Sequence, residues 1–313
     1  MVFLSIHSHK VLQVKAMILA AGLGTRLRPL TDVCPKPLVP VANKPVIERS
    51  ITYLKQHGYH RIAVNTHHHA LPMADFLGDG TRFGVKIHVS HEPSILGTAG
   101  GIRKVKDFWK HDTLLVINGD ILTDIDLRDA LRFHLATGAA ATLILHRHPL
   151  FSQILLDDQG VVRDISSGPR PERLAFTGIH LLEPGLLKWI PRDGYADIVS
   201  CYRRMIENGE RVAGHISNGH YWRDIGTIES YLEANREHSA TPVLLGPGCE
   251  TAPSARISDW AVIGPECRVE ADATITRSVL WQGIRVREGA RITDSVVTSG
   301  QVVQRDLMGE VLV

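Results

Sequence analysis

From Lys15 to about Ser239, hydrophobic and polar positions alternate between two patterns. Short apolar runs, often β-branched, fall at Ala16–Ala20, Arg61–Asn65, Val85–Val89, Thr113–Ile117 and Ala141–Leu145, and each reads as a buried strand. Between them, apolar residues space as on one face of a helix. Pro45–His57 carries Val46, Ile47, Ile51 and Leu54 on one side, with Pro45 in the first turn and Gly58 just past the end. Ile102, Val105 and Trp109 make a second face. Leu127, Leu131 and Leu135 make a third, with Asp126 as its N-cap and Gly138 at the far end. The alternation predicts a layered α/β domain, Rossmann-like, with a largely parallel sheet.

After Thr241 the helical period disappears. An aliphatic residue recurs every six positions at Ile257, Ile263, Val269 and Ile275, each with a small residue two before it (Ala255, Ala261, Cys267, Ala273). The register slips by one around Trp281 and resumes at Val286 and Ile292, with Ala290 again two before. Such hexapeptide repeats predict a parallel β-helix, whose coils bury their inner face only against one another. An antiparallel meander would instead show period two. The expected organisation is an N-terminal extension at 1–14, a catalytic domain at 15–240 and a short β-helix domain at 241–313. Met1–Ile6 is too short for a signal-peptide core, so the extension is expected to have no structural role, as an upstream start-codon assignment would give.

Composition narrows the function. A 44% apolar share, a 22% charged share and a net charge of +2 suit a globular protein without a nucleic-acid stripe or membrane-binding face. No apolar run approaches the roughly 20 residues that span a bilayer. The four cysteines (Cys34, Cys201, Cys249, Cys267) lack zinc spacing and read as reduced thiols of a cytoplasmic protein. Any phosphate binding must therefore be local, and one segment concentrates its means. Ile18-Leu-Ala-Ala-Gly-Leu-Gly-Thr-Arg-Leu-Arg-Pro-Leu-Thr31, then Pro35-Lys-Pro-Leu38, takes a buried strand into a glycine turn and adds Arg26, Arg28 and Lys36. Backbone N–H groups and cations so placed suit a multiply charged anion, with Arg28 equally at home as a surface charge.

The string closely resembles the signature of the sugar-1-phosphate nucleotidyltransferases: Leu-Ala-Ala-Gly-x-Gly-x-Arg, Pro-Leu-Thr and Pro-Lys-Pro. The resemblance implies that Leu19, Ala20, Ala21, Gly22, Gly24, Thr25 and Arg26 bind nucleotide, and that Arg26 and Lys36 grip its phosphates. Leu114-Leu-Val-Ile-Asn-Gly-Asp120 ends a strand on a carboxylate, where open α/β sheets place ligand chemistry. Tyr221-Trp-Arg-Asp-Ile-Gly-Thr227 resembles the family's Trp-x-Asp-x-Gly-Thr segment, with Thr227 capping a helix Ile228–Glu237 that turns Leu232 inward. The resemblance makes Asp120 and Asp224 the ligands of a catalytic Mg²⁺, which commonly takes one or two carboxylates plus substrate phosphates. Catalysis would rest on Arg26, Lys36 and Asp120. A phosphate oxygen of the sugar 1-phosphate would attack the α-phosphorus of an NTP, and pyrophosphate would leave.

His91-Glu-Pro-Ser-Ile-Leu-Gly-Thr-Ala-Gly-Gly101 resembles the family's base-recognition loop in its mannose-1-phosphate guanylyltransferase form. It points to Glu92, Gly97 and Thr98 at the nucleotide, with Glu92 accepting paired N–H donors of guanine, and so to GTP with a manno-configured sugar. A uridylyl- or thymidylyltransferase is the alternative. The family's Glu-Lys-Pro segment is replaced here by Ile165-Ser-Ser-Gly-Pro-Arg-Pro171, which leaves Arg170 or Arg173 to substitute for its lysine, with Gly119 and Gly178 completing the sugar-phosphate side. His67, His68 and His69, like His146 and His148, are expected to be solvated or hydrogen-bonded rather than metal ligands. A non-catalytic regulatory relative is disfavoured because Asp120, Asp224 and Arg26 are all present. An acyltransferase in the tail is disfavoured because 241–313 contains no histidine. The tail is expected to cap the domain or build a homo-oligomer interface, and its resemblance implies a left-handed coil.

Overall fold

The computed structural model describes residues 14–148 and 151–313. The expected extension lies outside the described residues up to residue 13, and Val14 packs against the core. All five expected strands form, at Lys15–Leu19, Arg61–Thr66, Lys86–His91, Leu114–Asn118 and Ala141–His146. The first four are parallel, in the order Lys86–His91, Arg61–Thr66, Lys15–Leu19, Leu114–Asn118. Their central residues are aliphatic without alternation because both faces are covered. Leu174–Leu182 runs antiparallel beside Leu114–Asn118 and carries Ala141–His146 on its other side. Val212–Ile216 then pairs in parallel with Ala141–His146. The sheet thus has a parallel heart and a mixed flank.

The helix Val46–Gln56 buries Val46, Ile47, Ile51 and Leu54, as the spacing predicts. Asp126 caps Leu127–Thr137 by accepting the Arg128 N–H, and Gly138 ends the helix at φ +59°. Its buried face, however, is Leu127, Ala130 and His134, while Leu135 is 48% exposed. His134 takes the inner position because its ring bonds Thr142 and Glu183, a tertiary arrangement that hydropathy counts as polar surface. Ile102, Val105 and Trp109 are all buried, but the helix breaks at Val105 into Gly97–Lys104 and Lys106–Trp109.

The tail is a parallel β-helix. Ile257 pairs with Ile275, three six-residue steps later, and Ile275 with Ile292. The lost residue falls between Ile275 and Leu280, just before Trp281, and is seen as a bulge opposite Ser258–Ala261. Ile263, Val269, Ile275, Val286 and Ile292 fill the interior, with the small Ala261, Cys267, Ala273 and Ala290 beside them. A further core joins the two parts. Leu27, Leu30, Val39 and Val41 from the signature segment and Tyr231 and Ala234 from the helix Ile228–His238 pack on Trp260, Val262, Val279, Trp281 and Val296 of the β-helix.

Candidate active site

The carboxyl ends of the parallel strands converge on one cleft of about 290 Å³, lined among others by Leu19–Gly22, Lys36, Asn65, Glu92, Gly97, Thr98, Gly119 and Asp120. Open α/β sheets bind ligands at this edge because strand termini leave backbone groups free there. Asn65 ties two of its loops together: its Oδ1 accepts the Ala20 N–H at 2.7 Å, and its Nδ2 donates to Glu92 Oε1 at 2.8 Å. Gly24 sits at φ +64°, and a Cβ there would lie 2.8 Å from Thr31 Cγ2. Thr31 Oγ1 donates to the Gly24 carbonyl at 3.0 Å, so Thr31 holds the turn from beneath. Gly22 has open space around its Cα, leaving its backbone approachable. Thr25 begins a short turn that buries Leu27 and leaves Arg26 exposed above the site.

The two acids, far apart in sequence, are brought near each other by a small two-stranded ribbon. Trp222–Asp224 pairs antiparallel with Ile121–Thr123, Asp224 opposite Ile121, and the Ile225 N–H donates to the Asp120 carbonyl at 3.1 Å. Lys36 Nζ lies 2.5 Å from Asp120 Oδ2 with both side chains mostly buried. Arg26 reaches Asp224 Oδ2 at 3.5 Å. Asp224 Oδ1 is buried without a hydrogen-bond partner, and a Cβ on Gly226 would lie 2.5 Å from it. A buried carboxylate oxygen left bare is costly unless a cation completes it. Asp120 lines the cleft and Asp224 a second cavity, and two carboxylates on hydrogen-bonded segments, one with an open oxygen, are the hard, oxygen-only donors that suit Mg²⁺. Thr227 caps Ile228–His238 by accepting the Ser230 N–H, which fixes the segment just after Asp224.

Several predicted residues of the cleft also carry bonds or close contacts within the protein. Glu92 is 0% exposed, and its carboxylate accepts Asn65 Nδ2 through one oxygen and the Leu96 N–H through the other at 3.1 Å. It staples the loop rather than presenting a free carboxylate to a base. Thr98 Oγ1 accepts the Ile198 N–H at 2.8 Å, so its hydroxyl helps cap the helix Ile198–Glu207. Gly97, at φ +73°, is required because a Cβ would meet the Ala196 carbonyl at 2.5 Å. Gly119 is dictated by its neighbour strand: its N–H donates to the Leu19 carbonyl at 2.8 Å, and a Cβ would clash there. Arg28 pairs with Asp32 on the surface. Asn65 and Tyr195, which is 70% exposed beside the cleft, carried no signal in the sequence beyond their types.

A second cavity, about 520 Å³, opens on the other side of Asp224 and is lined by Arg26, His148, Phe151, Trp222, Glu229 and Glu233 among others. The Trp222 indole is set by its Nε1 donating to the Thr177 carbonyl at 2.9 Å, and His148 and Phe151 pack against its ring. Burial, the neighbouring His146 and Arg223 hold the His148 imidazole below its ordinary pKa. Gly178, at φ +76°, lets Leu174–Leu182 pass Asn118 closely, since a Cβ would lie 2.5 Å from Asn118 Nδ2. Arg170 is exposed and lines neither cavity; its N–H donates to the Ser152 carbonyl and its own carbonyl accepts the Arg173 N–H. Arg173 is committed to Asp164 at 2.6 Å. Neither arginine is among the residues that line the two cavities. His67 bonds the Glu92 carbonyl, and His68 stacks on His69.

Residues 15–241, bearing every feature of the cleft, match the family model described as Nucleotidyl transferase. The chain belongs to that family. Within it, the chain is a sugar-1-phosphate nucleotidyltransferase by its relatives. This nucleotidyltransferase is 31% identical to the UTP–glucose-1-phosphate uridylyltransferase of Synechocystis sp., over 91% of this chain and 87% of that one. It is 28% identical to the mannose-1-phosphate guanylyltransferase of Mycobacterium tuberculosis, over 90% of this chain and 83% of that one. A solved structure from Bacillus anthracis, assigned as a glucose-1-phosphate thymidylyltransferase in complex with sucrose, superposes with a TM-score of 0.65 at 26% identity. It covers 73% of this chain and 96% of its own.

Proposed function

We propose that the chain joins UTP and a sugar 1-phosphate to give a UDP-sugar and pyrophosphate, with Mg²⁺ held by Asp120 and Asp224. The observation that carries the metal is the buried, unpartnered Oδ1 of Asp224, on the strand paired with the one that follows Asp120. When bound, Mg²⁺ supplies Lewis-acid neutralisation at the phosphate oxygens. The chain's own residues supply the rest. The backbone at Ala20–Gly22 lines the cleft for the nucleotide, Lys36 brings a positive charge to that cleft, and Arg26 brings one to the second cavity. The sugar phosphate is already an anion, so its attacking oxygen needs no general base. Its bond to the α-phosphorus forms as the bond from that phosphorus to the departing pyrophosphate breaks. Holding two repelling anions in line is the enzyme's main task. The sugar is assigned to the cavity walled by Trp222, Phe151 and His148, whose aromatic faces suit the apolar face of a pyranose.

Uracil, with its single N–H, is favoured over guanine because the Glu92 carboxylate, which would accept guanine's paired N–H donors, is already tied to Asn65 and to the Leu96 N–H, one bond per oxygen. The uridylyl relative supports the same choice. Guanine remains the second reading through the guanylyl relative. A matrix of UTP, GTP, dTTP and ATP against several sugar 1-phosphates, read by pyrophosphate release, decides between them. UTP should give the highest kcat/KM, whereas a preference for GTP would overturn the base assignment. Among the described residues no helix is long and apolar enough to cross a membrane. Four free thiols fit a cytoplasmic setting, and assembly through the β-helix is part of the same proposal.

A further inference from the structure

The turn Pro40–Asn43, just downstream of Lys36, is gripped from outside at each residue. Tyr231 Oη donates to the Pro40 carbonyl at 2.7 Å, and Arg49 Nη2 donates to the Val41 carbonyl at 2.7 Å. The Ala42 N–H donates to Asn235 Oδ1 at 2.9 Å. Asn43 Nδ2 donates to the Ile263 carbonyl of the β-helix at 3.0 Å. Trp281 Nε1, one coil further on, donates to Tyr231 Oη at 3.0 Å, so a single hydroxyl bridges the β-helix to Pro40. Ala42 and Asn43 hold φ of +46° and +60°. Residues with a Cβ keep such angles only where their surroundings over-determine them. Leu27, Leu30, Val39 and Val41 are wholly buried in the core shared with Val262, Val279, Trp281 and Val296. Leu27 directly follows Arg26, and Val39 lies one short turn after Lys36. Both cations of the cleft therefore stand on backbone that the β-helix clamps.

We infer that the β-helix is a positioning element of the transfer centre, acting through Trp281 and Tyr231 on the turn that aims Lys36 at Asp120. The inference rests on the transfer chemistry proposed above. Trp281 and Tyr231 act through the turn and are positioning residues. The tail thereby has a role in the chemistry, beyond the capping or assembly that its repeats suggest.

Tyr231→Phe, Trp281→Phe and the double variant, each in the full chain, test this by amide hydrogen exchange and steady-state kinetics. The amides of Leu38, Val39 and Ala42 should exchange about tenfold faster in each variant, with Arg61–Thr66 unchanged. kcat should fall about fivefold or more, while KM for the NTP stays within about twofold. The double variant should be no worse than Tyr231→Phe alone, since both changes act through one hydroxyl. Unchanged exchange at those three amides, wild-type kcat in both single variants, or losses that multiply in the double variant would each overturn the inference. If the wild-type protein releases pyrophosphate with no substrate pair, the transfer reading falls, and exchange at Leu38, Val39 and Ala42 alone decides whether the clamp exists.

Discussion

Glu92 shows how a residue's type can suggest one role and its neighbours impose another. A carboxylate in a loop at the nucleotide edge invites a base contact, yet both of its oxygens serve Asn65 and Leu96. Glu92→Gln should therefore raise KM for every NTP together and lower the melting temperature, leaving the UTP-to-GTP ratio of kcat/KM within about twofold. Steady-state kinetics with both nucleotides check this, and a loss confined to GTP would restore Glu92 as a base reader. Asp120 and Asp224 behave differently, because their neighbours leave them available. One Asp224 oxygen has no protein partner, and the Asp120 carboxylate bonds Lys36 through a single oxygen. Asp120 was legible in the sequence as a strand-end carboxylate, and Asp224 through the resemblance its segment bears to the family motif. The partners that distinguish them from Glu92 were not, because Asn65 and Leu96 become neighbours of Glu92 only after folding.

At the scale of elements, the buried strands and the hexapeptide coils were readable because each repeats a simple period. Legibility failed where a polar residue takes a core position through tertiary bonds, as His134 does in Leu127–Thr137. The strand Leu174–Leu182 carries a second case. His180 is fully buried, bonded to the Tyr202 hydroxyl, and burial pushes its pKa down to about 3. The unfolded chain binds this proton near pH 6.5 and the folded chain does not, so stability falls as pH drops below that value. Between pH 7 and pH 5 the loss from His180 alone is about 2 kcal/mol. Denaturant unfolding at the two pH values measures it, and His180→Gln should remove that part of the slope. An unchanged slope in the variant would place the acid sensitivity elsewhere.

For the whole molecule, the parallel sheet carries Asp120 at its edge, a two-stranded ribbon beside it carries Asp224, a signature loop carries the cations, and a β-helix supports that loop from behind. The fold class and the family were legible because the loop motif and the repeat are each local in sequence. The junction was not, since its core draws residues as distant as Leu27 and Val296 into one cluster. The walls of the cavity beside Trp222 likewise come from several elements, and Arg170 is not among its lining residues. The central claim is sugar-1-phosphate nucleotidyl transfer on a metal held by Asp120 and Asp224. Pyrophosphate release by the wild-type chain and by Asp224→Asn, with and without Mg²⁺, tests it most directly. Release should require Mg²⁺, an NTP and a sugar 1-phosphate together, and should fall on the order of 100-fold or more in the variant with its fold retained. No release by the wild-type chain with any pair, or equal release by the variant, would contradict the account.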